Sequence, residues 1–245
     1  MTRARTHASP LGRHRTMHGQ VVEWLGLRIV SGELPGGSQL PNEAELAATL
    51  EVSRGGVREA VKALAAKGLV EPRPRLGTRV LPRGEWNLMD REVIDWHSRA
   101  GDATFLAHLL ELRLVVEPGA AAFAAARATE EQLLTLQTAY DGMAEHADDL
   151  PASEDEFVRA DLAFHLTLLQ SSGNQLIEQL GRLLETGLRH SLQVLSHPST
   201  SVQETLPLHR AVLVAVRARR ETAAFRAMRK LIETTADAAE RARGY

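Results

Sequence analysis

Asn42 and Ser53 are both helix-capping residues, and the stretch between them, EAELAATLEV, has room for one short helix only. Asn42 can start a helix that runs through Leu50, with Glu45 three residues on completing a capping-box-like start. Glu51-Val52 then makes a tight turn, and Ser53 starts a helix reaching about Lys67 with Val57, Val61 and Leu64 on its buried stripe. Upstream, Val22, Leu25 and Ile29 recur at helical spacing from about Gly19 to Ser31, and Gly32 with Pro35-Gly36 ends that helix. Downstream, two β-prone pieces, Leu69–Glu71 and Thr78–Val80, flank a tip containing Arg73, Arg75 and Gly77. Three helices around a tight turn, followed by a basic hairpin, outline a winged helix-turn-helix.

The outward face of the third helix carries Arg54 and Arg58, one turn apart. Arginine there can bridge phosphates or read the O6/N7 edge of guanine in a major groove. Gly55 and Gly56 weaken the helix but remove side-chain bulk, so backbone and DNA can approach closely. The plainer alternative for both arginines is a solvated face with local ion pairs, to Glu59 or Glu51. Charge asymmetry favours the nucleic-acid reading. Residues 1–85 hold 13 Lys+Arg against 8 Asp+Glu (+5), while the rest hold 16 against 23 (−7), within a net charge of −2.

The stretch LPNEAELAATLEVSRGGVREAVKALAAKGLVEPRPRLGTRV closely resembles the DNA-binding domain of the GntR family of bacterial transcription regulators. The family pattern LPsE.eLA..lgVSR.pVReAL..L...GLv....g.GtrV is matched over nearly its whole length. The resemblance implies DNA-contacting roles for Ser53, Arg54, Gly55, Arg58 and Gly77, with Arg75 at the wing tip. Gly55 and Gly56 stand where bulkier residues are common.

Cysteine is absent, which excludes a disulfide framework and a thiolate zinc site. No apolar stretch approaches the ~18 residues of a membrane span, and MTRARTHASPLGRHRTMHG is basic without an apolar h-region. A flexible arm and a cytoplasmic protein are expected.

LPRGEWNLMDREVIDWHSRAG joins the halves, with Trp86, Leu88, Val93, Ile94 and Trp96 as apolar anchors that would dock the DNA-binding head on a second domain. Its EWNLMD…VIDW wording is similar to a segment of GntR regulators that respond to sugar acids, galactonate among them. Beyond it the pattern is helical throughout, near 90–99, 102–126, 130–147, 153–172, 175–196, 201–218 and 221–242. Breaks fall at Asp149-Leu150-Pro151, Ser172-Gly173-Asn174 and His197-Pro198-Ser199. The expected fold is mainly α: an arm over 1–17, the winged unit over 18–81, a linker and docking helix over 82–100, and an antiparallel all-α bundle over 101–245.

Within helix 153–172, Phe157, Asp161, Phe164, His165 and Leu168 share one face, so Asp161 and His165 lie in an apolar stripe. Side chains at i and i+4 meet, and a buried carboxylate needs a partner or a cation. A simple hydrogen-bonded pair satisfies this as well as a metal does. His209, sharing a stripe with Val212, Leu213 and Val216, should also point inward. Arg113 borders a stripe of Leu109, Leu112, Val116 and Ala120, and Glu117 four residues on is its nearest ion-pair partner.

ELRLVVEPGAAAFAA, ADLAFHLTLLQSSGN and LPLHRAVLVAV resemble the all-helical FCD effector domain of the FadR branch of that family. The resemblance implies a divalent metal, such as zinc, held by one Asp and three His, with an organic acid on its open side. Asp161, His165 and His209 match three ligand positions, and Leu231 occupies the fourth. Both a three-ligand open site and a metal-free pocket therefore remain open. It further implies that Arg113 faces the acid and that Thr205 hydrogen-bonds a ligand hydroxyl.

These readings converge on a homodimeric, ligand-responsive transcription regulator, expected to act as a repressor of sugar-acid catabolism genes. It would bind double-stranded operator DNA and leave it when a small carboxylate such as an aldonic acid binds. The alternatives are a response to another organic acid through a metal-bound pocket, and a metal-dependent hydrolase with a DNA-binding appendage. No nucleophile elbow or P-loop supports the latter. A long-chain acyl-CoA sensor fits poorly with inward polar groups.

Overall fold

The computed structural model describes residues 17–150, 152–195 and 199–242. The basic arm up to residue 16 and the breaks expected at Pro151 and at His197-Pro198 lie outside them. The chain divides into two compact units, Met1–Asp102 and Ala103–Tyr245.

The first unit is built from α1 (Met17–Val30), α2 (Glu43–Leu50), α3 (Arg54–Ala66), β1 (Val70–Arg73), β2 (Gly77–Val80) and α4 (Arg91–Arg99). Local chemistry sets its short helices. The Asn42 side chain accepts from the Ala44 and Glu45 amides, and the Glu45 carboxylate accepts from the Asn42 amide, a complete capping box. Glu51 ends α2 at φ 55°, a left-handed residue that turns the chain sharply enough for Ser53 to cap α3 through the Gly56 amide. Leu25, Leu50, Val57 and Leu64 close the core beneath that turn.

Strands β1 and β2 pair antiparallel from Val70↔Val80 to Arg73↔Gly77, leaving Pro74-Arg75-Leu76 as the wing tip. Pro74 leads a turn closed by the Leu76 amide on the Arg73 carbonyl at 3.1 Å. Arg75 takes φ 62° there, a conformation that costs an L-residue roughly 1–2 kcal/mol. The Gln39 side chain donates to the Leu76 carbonyl at 3.1 Å and tethers the tip.

Residues 82–100, expected as a linker and docking helix, belong to this unit. Asp90 caps α4 and also pairs with Lys67 at 2.9 Å, while Glu92 pairs with the same lysine at 2.8 Å. Trp96 is fully buried against α1 where Gly26 leaves room, since a Cβ at Gly26 would lie 2.6 Å from the indole ring. Trp86 donates through Nε1 to the Leu81 carbonyl at 2.8 Å.

The second unit is a helical bundle of α5 (Ala103–Arg127), α6 (Glu130–His146), α7 (Glu154–Ser171), α8 (Gln175–Leu195), α9 (Ser199–Arg217) and α10 (Glu221–Ala242). Every boundary lies within two residues of the sequence expectation. Helix α5 contacts α7, α9 and α10, and its buried Ala120, Ala121, Ala124 and Ala125 let these neighbours come close. Phe157, Phe164, Leu168, Val212, Val216, Met228 and Leu231 fill the interior, each large apolar side chain contributing about 1.5–3 kcal/mol by leaving water.

One stripe needs correction. Leu112 and Val116 of α5 are only partly buried, and the buried line instead runs Leu109, Leu110, Arg113, Glu117, Ala120 and Ala124. Arg113 is therefore central to the buried face, where the sequence pattern had it at the border.

Candidate functional site

Two sets of side chains merit attention, one on the surface of the first unit and one inside the second. Ser53, Arg54 and Gly55 are exposed at the start of α3, with Arg58 one turn further on. Arg75 and Gly77 are exposed at the wing. Arg58 is not paired with Glu59 or Glu51. It donates from Nε and Nη2 to Glu43 of α2, at 3.2 and 2.8 Å, and Glu59 pairs with Lys62. The Arg58 pair lowers the Glu43 pKa through its hydrogen bond despite slight burial. A guanidinium held on a surface carboxylate keeps its charge and orientation at little energetic cost, available to a polyanion that outcompetes the glutamate.

In the second unit Asp161 and His165 of α7, His209 of α9, and Arg113 and Glu117 of α5 meet in one buried cluster, none more than 6% exposed. Each histidine has one nitrogen committed. His165 Nδ1 donates to Glu117 Oε2 at 2.6 Å. His209 Nδ1 donates to the Thr205 backbone carbonyl at 2.9 Å, an acceptor that admits no other tautomer. Both Nε2 atoms therefore face inward, toward Asp161 Oδ1, at 3.2 Å from His165 and 3.1 Å from His209, and 3.4 Å from each other.

With Nδ1 already protonated, the neutral His209 ring presents a lone pair to a carboxylate oxygen. That contact needs a proton or a cation between the two atoms. Separations of 3.1 to 3.4 Å are also those between neighbouring ligand atoms on one ion bound at about 2.0–2.1 Å. The donor set thus fits a divalent metal: two imidazole nitrogens oriented from behind by a carboxylate and a carbonyl, plus one carboxylate oxygen. Leu231, at the position where the family would supply a further histidine, is buried in the apolar core at 1% exposure, and Lys230 is exposed.

Arg113 approaches the same place from α5. Its Nε donates to Glu117 Oε1 at 2.6 Å. Its Nη2 lies 3.2 Å from His165 Nε2 and 3.4 Å from Nδ1. One atom cannot be in line with two lone pairs in the ring plane, so the guanidinium sits over the imidazole face and leaves the Nε2 lone pair clear. Arg113 Nη1 is buried and has no hydrogen-bond partner among the described residues.

Electrostatics follow from this packing. Burial alone would push the Glu117 carboxyl up, but Arg113 and His165 outweigh it and hold it at about 2. Burial likewise opposes ionisation of Asp161, yet His209 and His165 keep its carboxyl well below the usual carboxylate range. Burial and Arg113 disfavour a charged His165, while Glu117 and Asp161 favour it more strongly and raise it to about 9. Without a metal the cluster is a chain of alternating charges, which is stable only while complete.

Asp161, His165 and His209 are thus brought together on the inward faces that their stripes implied, and Arg113 joins them, as the family resemblance implied. Thr205 is buried one turn before His209, and its carbonyl is what orients that ring. Glu117 enters the cluster as more than a counter-ion to Arg113. Its second oxygen reaches a histidine on another helix, which spacing along α5 could not reveal.

A winged helix-turn-helix with exposed arginines, in one chain with a helical bundle enclosing a polar cluster, is the build of a DNA-binding regulator. Two family models match: bacterial regulatory proteins of the gntR family over residues 18–80, and the FCD domain over residues 108–234. The chain belongs to the GntR family, in its FadR-type branch with an FCD domain. The HTH-type transcriptional regulator YieP of Escherichia coli is 33% identical over 93% of this chain and 97% of its own. The galactonate operon transcriptional repressor of Escherichia coli is 33% identical over 81% of this chain and 86% of its own. The transcriptional repressor NanR of Klebsiella aerogenes is 33% identical over 89% and 83%. The solved structure of Lar, which controls expression of the Listeria monocytogenes agr system, superposes with a TM-score of 0.65 at 18% identity, covering 94% of this chain and 99% of that one, and speaks to the fold alone. The family and these relatives are transcription regulators, so the protein is a DNA-binding transcription regulator and the hydrolase alternative is set aside. No described helix is long and apolar enough to cross a membrane.

Proposed function

We propose that this regulator is a repressor of sugar-acid catabolism genes that leaves its operator when a small carboxylate, of aldonic-acid type, binds inside the helical unit. The carrying observation is the buried meeting of the Arg113 guanidinium, whose Nη1 has no hydrogen-bond partner among the described residues, with His165, and of the His165 and His209 Nε2 atoms with the Asp161 carboxylate. A planar guanidinium suits a carboxylate. Asp161, His165 and His209 would hold a divalent ion, which supplies a second cationic contact for the same acid group. Thr205, buried one turn before His209, would hydrogen-bond a ligand hydroxyl. Similarity to a galactonate operon repressor supports the sugar-acid class.

On the DNA side, Ser53, Arg54, Gly55 and Arg58 form the start of the helix that enters a major groove, and Arg75 and Gly77 the wing beside it. A two-fold dimer would present one such head to each half of a palindromic operator. Ligand binding releases DNA by favouring a dimer state with poorer operator fit, which requires the acid to prefer that state.

The test is a mobility-shift assay on duplexes that the protein itself selects from a random library. Galactonate, gluconate and related acids are added with zinc or with chelator. Release of DNA by at least one acid is expected. Unchanged binding across the panel would refute the sugar-acid reading, and release of Arg113→Ala by the same acid at the same concentration as wild type would refute the site.

A further inference from the structure

Each oxygen of Glu117 has a different functional partner. Oε1 accepts from Arg113 Nε and Oε2 from His165 Nδ1, both at 2.6 Å. The residue is 4% exposed, and Arg113 and His165 are 2% exposed each, so water does not substitute for any of them. One rigid carboxylate therefore sets two orientations at once. By taking Nε it grips Arg113 from the side, and Nη1, at the other edge of the guanidinium, has no hydrogen-bond partner among the described residues. By accepting the Nδ1 proton it keeps His165 Nε2 turned toward Asp161 and His209.

We infer that Glu117 is a positioning residue that couples acid recognition by Arg113 to metal binding at Asp161, His165 and His209. This rests on reading the cluster as an acid and metal site. The physical reason is that the carboxylate cannot shift toward one partner without lengthening its bond to the other. An ion on His165 Nε2 locks the ring, the locked ring fixes Glu117, and Glu117 fixes the guanidinium before an acid arrives. Thermodynamic linkage then makes the effect mutual: bound acid raises metal affinity by the same factor by which metal raises acid affinity. Neither Asp161 nor His209 can do this, because neither touches Arg113 in the hydrogen bonds described.

Glu117→Gln keeps the shape but replaces one acceptor oxygen with an NH2 group, which must face either the Arg113 Nε–H or the His165 Nδ1–H. One of the two contacts is lost. The experiment measures zinc binding by calorimetry without acid, galactonate binding with zinc and with chelator, and the His165 tautomer by imidazole nitrogen NMR of the zinc-free protein above about pH 9, where the ring is neutral. In wild type, zinc strengthens galactonate binding, and His165 carries its proton on Nδ1. In Glu117→Gln, zinc binding weakens roughly ten- to hundred-fold, the His165 tautomers mix, and zinc no longer strengthens galactonate binding. Arg113→Lys, which keeps the charge and removes Nε, leaves the tautomer in place but abolishes the coupling.

If Glu117→Gln does not fold, the Arg113→Lys protein decides: undiminished coupling there overturns the inference. Wild-type coupling and tautomer in Glu117→Gln overturn it directly. Wild-type protein that binds neither zinc nor any acid of the panel overturns the underlying site reading, and this inference with it. Wild type that binds both independently overturns this inference alone.

Discussion

In the N-terminal unit Arg54, Arg58 and Arg75 stand in solvent, and the one with a resolved ion pair, Arg58, shares it with a surface glutamate. In the C-terminal unit Arg113 is 2% exposed and meets a glutamate and a histidine in the same buried space. The same side chain thus serves opposite ends. A polyanion approaches from outside and meets many weak, replaceable contacts, so the charges that await it can remain hydrated. A single small acid must outcompete water at one place, so its cationic partner is desolvated and pre-oriented before it arrives. The interiors differ in the same sense: the first unit is held by apolar packing, the second by packing around a charged centre.

The strongest break in this contrast is Asp161→Ala. Removing one member of the buried charge chain should destabilise the C-terminal unit by about 3–5 kcal/mol and abolish zinc binding, as read by calorimetric unfolding and titration. A loss well under 1 kcal/mol would show that the buried charges do not support one another. In the N-terminal unit a comparable loss requires disturbed packing. Gly26→Ala sets a methyl group 2.6 Å from the Trp96 ring, and overpacking of this kind costs about 1–3 kcal/mol. An unchanged melting temperature would mean that Trp96 moves aside freely.

A smaller change separates stability from function at the wing. Arg75→Gly removes a side chain from φ 62°. The strain relieved exceeds the added chain entropy by up to about 1 kcal/mol. The variant should melt slightly higher yet bind DNA more weakly, with a shallower salt dependence. Tighter DNA binding would exclude Arg75 from the contact surface.

Mild acid is the gentlest probe. His97 is buried in the N-terminal unit, and burial holds its pKa below 6.5 against the pull of its Asp102 hydrogen bond. Its neutral form contributes stability that is present above pH 6.5 and lost as pH falls toward its folded value, because the unfolded state takes the proton first. Denaturant unfolding between pH 7.5 and roughly pH 5 should weaken this unit, and His97→Gln should flatten the response. In the metal-free C-terminal unit His165, raised to about 9, is already charged over that range. Equal sensitivity of the two units would erase the distinction.

Much of this was legible in the residues because it is local. Asn42, Glu45 and Ser53 act on amides two or three positions away, so the caps and the turn between them follow from spacing alone. Asp161 and His165 were legible for the same reason, lying four apart on one helix. Glu117 was legible only by half. Its bond to Arg113 is an i,i+4 pair, while its bond to His165 joins helices far apart in sequence. A signal did exist in the alanines: Ala120 and Ala124 mark the buried line of α5, and stepping back along that line reaches Glu117 and Arg113. Arg58 had the opposite fate, because its partner Glu43 lies on the preceding helix and no periodicity points to it.

The close fit of Trp96 into the space beside Gly26 has a practical consequence for dissecting the chain. The gntR-family match ends at residue 80, but the compact unit continues to Asp102. A fragment cut at the end of the wing would leave a tryptophan-sized gap against α1 and take from Lys67 both of its acids. An autonomous DNA-binding fragment, or the seam of a chimaera that exchanges effector domains between regulators, belongs after Asp102.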